Sequence, residues 1–154
     1  MGDWTPLVEA AGPFAGWTTW RNIDPFEAQA GPFYYRTEAG GGVRAAFQVE
    51  ARHLNVGGFA HGGCLLTFAD FALFAIAMPE IGEGMAVTVS LSTDFMGRVM
   101  EGDRVEATGE VLRRGRSLVF VRGVAEVARQ PVLAFSGVIR PFPGAPLPSR
   151  DGRA

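Results

Sequence analysis

The chain has 154 residues, of which 47% are hydrophobic and 19% are charged, and its formal net charge is −2. This length fits one domain with a hydrophobic core, and the composition excludes an intrinsically disordered chain. All fourteen positive charges are Arg, so chemistry that needs a lysine amine, such as a Schiff base or a P-loop, is excluded. The slightly acidic balance argues against nucleic-acid binding.

No targeting segment is predicted. The N-terminal "MGDWTPLVEA" lacks a basic region followed by an apolar run, which a signal peptide requires. The longest apolar stretch is interrupted by Asp70 and is shorter than the roughly 20 residues of a bilayer span. A single cysteine, Cys64, excludes an intrachain disulfide. We therefore expect a soluble, cytoplasmic protein without a membrane partner.

Residues 1–32 form a predicted N-terminal extension. A short helix is expected near Pro6–Ala11, and an irregular stretch follows that is rich in large aromatic side chains: Phe14, Trp17, Trp20 and Phe26. Such side chains either pack on the core or form a flap over an apolar ligand. Core packing is the more common use of buried aromatic rings, and we favour it.

Residues 33–141 form the predicted main domain. The runs "FYYRTE" and "VRAAFQVE" flank "AGGG" and predict a hairpin. The apolar segment Cys64–Met78 predicts a long helix that ends before Pro79. Four later strand-like runs predict an antiparallel meander: "AVTVSLSTDFM", "DRVEATGEVLR", "RSLVFVRGVAEV" and "VLAFSGVIR". Residues 142–154 are predicted to form a frayed tail. A helix that is apolar nearly all round must be buried, so we predict an α+β domain with a curved antiparallel sheet wrapped around one helix.

The segment "NVGGFAHGGCLLTFAD" contains the first candidate site. Asp70 is the one charge in a long apolar stretch, and a buried carboxylate serves either as a structural hydrogen-bond acceptor or as a catalytic base or nucleophile. Gly62 and Gly63 stand at the predicted helix start, where backbone N–H groups lack intrahelical partners. Without side chains these glycines let a substrate oxygen approach, although a simple tight turn is the alternative.

The spacing of these residues predicts a dimer. Gly62 and Asp70 are eight residues apart, which is about 12 Å along a helix axis, so one carbonyl cannot contact both. If both act in one site, Asp70 must come from a second protomer whose helix runs antiparallel to the first. Two-fold symmetry provides that arrangement twice.

The same segment resembles the signature of hot-dog-fold acyl-CoA thioesterases of the PaaI-like branch, approximately N-x-x-G-x-x-H-G-G followed by an Asp on the central helix. The resemblance extends from about Phe33 to Arg140 and implies a homodimer with composite sites, often paired into tetramers. It implies hydrolysis of acyl-CoA without a metal or redox cofactor. Asp70 would activate water or attack directly, the Gly62 N–H and Asn55 amide would polarise the thioester, His61 would orient the loop, and Thr88 would position the water.

Two other constellations compete with this interpretation. His61 and Cys64 share a helix face and resemble a Cys–His dyad, but an apolar setting raises the pKa of a thiol, so a packed core cysteine is favoured. A metal site from His53, His61 and Cys64 lacks standard spacing and sufficient ligands, so no metal is expected.

The sequence "RRGR" concentrates three arginines, Arg113, Arg114 and Arg116, at a predicted hairpin tip. These side chains either belong to a solvated turn or bind the phosphates of coenzyme A through their guanidinium groups. The alternative to an enzyme is a non-catalytic hot-dog module that binds acyl-CoA or another apolar ligand. The acyl group is not predicted by any of these patterns.

Overall fold

The computed structural model describes residues 5–82 and 84–143 as one antiparallel sheet around a long helix. Its strands are β1 (Leu7–Val8), β2 (Thr18–Thr19), β3 (Tyr34–Thr37), β4 (Val43–Gln48), β5 (Gly84–Phe95), β6 (Arg104–Arg114), β7 (Val119–Val127) and β8 (Gln130–Pro143). Its helices are α1 (Pro25–Ala30) and α2 (Gly62–Ile81), and a 3-10 turn covers Ala51–His53. The predicted α+β architecture is confirmed.

The sheet order is β1-β2-β3-β4-β6-β7-β8-β5, and every neighbouring pair is antiparallel. The predicted hairpin is β3–β4, and β6, β7 and β8 form consecutive hairpins. The predicted four-strand meander is wrong for β5, which pairs with β8 along its whole length and not with β6. A link of several residues, 96–103, carries the chain from β5 to β6, so the two strands need not be adjacent. β5 is therefore an edge strand.

Helix α2 packs against β4, β5, β6, β7 and β8, which bury it on most sides. By length and composition alone this helix is able to span a membrane, but its position is that of a core helix, with nine of its residues buried. It continues past the predicted end at Met78 to Ile81 and includes Pro79 in its last turn. The N–H of Gly82, at φ +65°, closes the helix by donating to the Met78 carbonyl.

The core joins aromatic rings from the sheet and the helix. Phe33 and Phe47 meet edge to face at 5.3 Å between centroids, and Phe68 lies 4.8 Å from Phe47. Close approach of helix and sheet requires a glycine at position 137, because a Cβ there would overlap the buried Leu73 side chain. These contacts fix α2 against the concave face of the sheet.

The N-terminal segment differs in part from its prediction. Leu7 and Val8 form a strand that pairs with Thr18–Thr19, so the helix expected near Pro6–Ala11 is wrong. A segment this short does not form a stable isolated helix, and its backbone groups form hydrogen bonds with β2 instead. Phe14 and Trp17 are buried with Ala46 in a second small core, as the packing interpretation predicts, whereas Phe26 is 67% exposed and contradicts it. Since β1 and β2 continue the sheet, the boundary at residue 33 stays a prediction, and the predicted frayed tail lies almost wholly outside the described residues.

Candidate active site

Asp70 lies in the third turn of α2, and its carboxylate is held by the neighbouring strand β5. The Thr88 hydroxyl donates a hydrogen bond of 2.6 Å to Asp70 Oδ1. Burial raises the pKa of Asp70, the Thr88 hydrogen bond lowers it, and the nearby charge of Asp24 raises it. The balance is upward, so Asp70 is a stronger base than an exposed aspartate while one of its oxygens is fixed.

A cavity of about 560 Å³ opens beside Asp70 and Thr88. Asp70, Phe74 and Met78 line it at i, i+4 and i+8 on one face of α2. Trp20 from the N-terminal segment covers another side and packs on Phe71 with ring centroids 4.7 Å apart. The α2 side of the cavity is therefore mainly apolar, with the Asp70 carboxylate in it.

The start of α2 forms a different part of the surface. His61 is the N-cap residue, and its Nδ1 accepts a 2.9 Å hydrogen bond from the Gly63 N–H. Gly62 follows as the first helical residue and lines a smaller cavity of about 210 Å³ with Asn55 and Phe95. The Asn55 Oδ1 accepts from the Gly57 N–H at 2.8 Å. His61 and Asn55 thus order this loop, and the Gly62 N–H lies beside an open cavity.

The predicted site residues accordingly fall into two groups within one chain. Asp70 and Thr88 share the larger cavity, whereas Asn55 and Gly62 line the smaller one, and His61 caps the helix beside them. Eight helical residues separate the two groups, which is about 12 Å. One carbonyl group cannot reach both groups of a single chain.

The arginine hairpin, defined by Arg113, Arg114 and Arg116, lies where β6 turns into β7. Strand register connects it to the site: Arg114 pairs with Val119, Val119 with Ile139, and Ile139 with Thr88. Three strand spacings of about 4.8 Å place Arg114 about 14 Å from Thr88, and paired residues lie on the same face. The hairpin therefore lies at the same end of the sheet as Thr88.

The competing constellations have other surroundings. The Cys64 thiol donates to the Ala30 carbonyl oxygen at 3.6 Å, and burial raises its pKa to about 11. Such a thiol is a poor nucleophile at neutral pH. The imidazole of His53 is buried, with Nδ1 accepting from the Glu50 N–H at 3.0 Å. Among residues 5–82 and 84–143, no group of three His, Cys, Asp or Glu side chains is placed to hold a metal ion.

The sequence analysis weighed the N-terminal segment as a flap but favoured core packing, and it missed helix α1 as part of the cavity wall. Besides Trp20, the cavity is lined by Ile23, Asp24 and Glu27. Asp24 caps α1 by accepting from the N–H groups of Phe26 (3.0 Å) and Glu27 (2.9 Å). The signal was present in "DPFE", which has the Asp N-cap, Pro at the first helical position and Glu at the third that mark a helix start.

Comparison with known proteins places this geometry in context. The sequence model of the Thioesterase superfamily matches residues 57–133, half of the chain. A predicted esterase of Pseudomonas aeruginosa is 35% identical over 70% of this chain and 81% of its own length. Human acyl-coenzyme A thioesterase 13 is 30% identical over 62% of this chain and 68% of its own length.

A solved structure is also similar to this chain, both in sequence and in fold. A mutant form of the phenylacetic acid degradation protein PaaI from Thermus thermophilus is 32% identical to this chain. It superposes with a TM-score of 0.66, covering 77% of this chain and all of that one. The similarity therefore includes both the sequence and the wrapped-helix architecture.

Proposed function

The chain belongs to the thioesterase superfamily and is a thioester hydrolase of the PaaI-like hot-dog fold, and we propose that it cleaves acyl-CoA thioesters into a free acid and coenzyme A. One observation carries the proposal: a partly buried carboxylate, Asp70, is held at 2.6 Å by Thr88 in the wall of an apolar cavity. The cavity suits an acyl chain, and the carboxylate is the base that hydrolysis requires.

The proposed reaction begins with a water molecule beside Asp70. The carboxylate removes a proton from this water as its oxygen attacks the thioester carbon, and the carbonyl becomes an oxyanion. The carbon–sulfur bond then breaks, and the thiolate leaves with the proton that the water gave up. Burial raises the pKa of Asp70, which makes it a stronger base, and direct attack by the same carboxylate is the alternative that isotope labelling tests. A carboxylate and N–H donors require no metal or redox cofactor for this step.

We propose that the oxyanion binds to the partner protomer. The Gly62 N–H at the partner's helix start would donate to it, at a terminus that also favours negative charge, with the Asn55 amide beside it. Removal of one such donor costs about 3 kcal/mol of transition-state stabilisation in other enzymes. A composite site supplies both the base and the donors to one carbonyl, which a single chain cannot do.

The positions of side chains along α2 and β5 support a single two-fold axis that would relate two copies of the chain. Midway between Gly62 and Asp70 on α2 is Leu66, an apolar side chain that is 41% exposed. On β5, Thr88 contacts Asp70, and the Phe95 ring lies 3.5 Å from an ideal Cβ on Gly62. The midpoint of these two strand positions is at residues 91–92. Antiparallel pairing of α2 and of β5 with their copies would therefore share one centre.

The exposed edge of β5 favours the same dimer. This strand has 12 residues and is paired on one side only within the described chain. Its outward side chains include Val87 and Val89, which are 41% and 56% exposed. A long, apolar, unpaired edge strand is a ready site for pairing with another chain. We propose a homodimer, with further pairing into a tetramer as an expectation of the family resemblance.

The arginine hairpin is proposed to bind the phosphates of coenzyme A. Strand register places the backbone of Arg114 at the sheet end that holds Thr88, about 14 Å away. Arg is suited to phosphate because it donates two parallel hydrogen bonds. We also propose the cytoplasmic location that the sequence analysis expects, where acyl-CoA would be the substrate.

The decisive experiment measures thiol release from a panel of acyl-CoAs by wild type and Asp70→Asn. The variant should keep its fold while kcat falls by at least about 10²-fold, because an amide cannot act as a base. Cys64→Ala is the matched control on the same helix and should remain active. Turnover by Asp70→Asn close to wild type would refute the assignment.

Two further outcomes separate the alternatives. Tight acyl-CoA binding without turnover by wild type would identify the non-catalytic binding module. Single turnover in ¹⁸O-labelled water tests for direct attack: attack by Asp70 forms a mixed anhydride, and its hydrolysis at the Asp70 carboxyl carbon places the label in that side chain, whereas general-base catalysis places the label in the product acid alone.

A further inference from the structure

Glu27 is a buried carboxyl group that the mechanism above does not use. It lies in α1 and lines the same cavity as Asp70 and Thr88. Its Oε2 is fully buried and has no hydrogen-bond partner among the residues that the structure describes. A buried carboxylate oxygen without a partner is costly, so a carboxyl group in this position needs an explanation.

The usual role of a glutamate at this helix position does not apply. Glutamate at the third helical position often accepts from the backbone N–H of the N-cap residue. Here the Asp24 N–H donates to the Trp20 carbonyl at 2.7 Å, and Asp24 itself accepts from the N–H groups at the start of α1. The Glu27 carboxyl is therefore free of capping and lines the cavity.

The charged groups that act on Glu27 are all acidic, and they lie both on its own segment and on α2. Burial is the main cause that raises its pKa to about 8, and the charges of Asp24 on its own segment and Asp70 on α2 raise it further. The third element at this cavity, β5, contributes Thr88 and the apolar Leu91, which are uncharged. Two carboxyl groups that share a site of low polarity cannot both ionise readily.

We infer that Glu27 is a second carboxyl group of the active site, a positioning residue that stays neutral beside Asp70 and keeps Asp70 as the ionised member of the pair. This inference rests on the proposed function for its catalytic consequence. A neutral Glu27 adds no charge to the cavity that Asp24 and Asp70 already line. An ionised Glu27 adds a further negative charge, which opposes formation of the oxyanion. Because α1 lies outside residues 57–133, the device belongs to the N-terminal segment and not to the region that defines the family.

The pairing is tested directly by titration of the full-length protein. Glutamate labelled with ¹³C at its carboxyl carbon is followed by NMR from pH 4 to 10, and the Glu27 signal is assigned by its loss in Glu27→Gln. We expect a midpoint near pH 8 in wild type and a lower midpoint in Asp70→Asn, because that change removes a neighbouring charge. Glu110→Gln, which removes a carboxylate paired with Arg122 on the exposed surface, is the control and should leave the midpoint unchanged. A midpoint in the ordinary glutamate range, about 4.3, or one insensitive to Asp70→Asn, would overturn the inference.

The catalytic consequence is tested by the pH profile of kcat/KM with the best acyl-CoA. In wild type kcat/KM should fall about tenfold from pH 7 to pH 9, as Glu27 ionises. In Glu27→Gln, whose amide cannot ionise, this alkaline decline should disappear whatever the absolute rate. A purely structural role would lower the rate and leave the shape unchanged, and a persistent decline would overturn the inference. If no acyl-CoA is hydrolysed, the proposed function fails while the NMR titration still decides whether Glu27 and Asp70 are paired.

Discussion

At the scale of residues, we expect the hydrogen bond between Thr88 and Asp70 to set the acid limb of the pH–activity profile. Thr88 lowers the pKa of Asp70 against the effect of burial, so Thr88→Val should raise that pKa. Because the ionised form is the base, the acid limb of the kcat/KM profile should move to higher pH. The loss of activity should be greatest at low pH and should diminish as the pH rises.

The matched control is Thr88→Ser, which keeps the hydroxyl donor and should keep the acid limb in place. An unshifted limb in Thr88→Val would mean that the hydrogen bond does not control Asp70. Asp70 stood out in the sequence as the one charge in a long apolar segment, whereas Thr88 came only from the family resemblance, because local patterns do not show which strand position meets Asp70. Glu27 was missed because it comes from a short, weakly patterned segment far from Asp70, and only tertiary packing brings them to one cavity.

At the scale of elements, the distance between α2 and the sheet depends on a missing side chain in β8. A Cβ at position 137 would overlap Leu73, which is fully buried, and would lie 2.7 Å from the Ser90 carbonyl oxygen. Gly137→Ala should therefore lower the free energy of unfolding by about 1–3 kcal/mol. Gly40→Ala, where nothing lies within 4 Å, is the control and should change it little. Urea denaturation of both variants measures the difference, and equal stabilities would refute this packing argument.

The helices and strands also show which structural features local sequence patterns cannot predict. Alternation along β5 predicted a strand, and the apolar run predicted α2, because both periods are properties of the local sequence. The placement of β5 beside β8 was not predictable in that way, since pairing depends on the path of residues 96–103, which pass beside the start of α2. The predicted end of α2 at Met78 was wrong, because Pro79 is tolerated within the last turn and the helix is closed by Gly82.

At the scale of the whole molecule, the edge strand and the central helix point to the same assembly. The β5 edge is long and carries exposed apolar side chains, and Leu66 lies exposed between Gly62 and Asp70. The helix length predicted that two chains share one site if Gly62 and Asp70 act together, and within one chain these residues line two separate cavities. The sharing itself is open to a direct test.

The test mixes two inactive variants that damage opposite ends of α2. Asp70→Asn removes the base, and Gly62→Pro removes the N–H donor at a first helical position where proline is tolerated. His61, with φ −64° and ψ 135°, already has the backbone conformation that a residue before proline prefers. Each homodimer should be nearly inactive, whereas a mixed dimer has one site with both lesions and one site with neither. After random exchange activity should return to about a quarter of wild type, from half the dimers with one of two sites intact. Mass spectrometry verifies the exchange, and if mixed dimers form without recovered activity, the base and the donors must belong to the same chain.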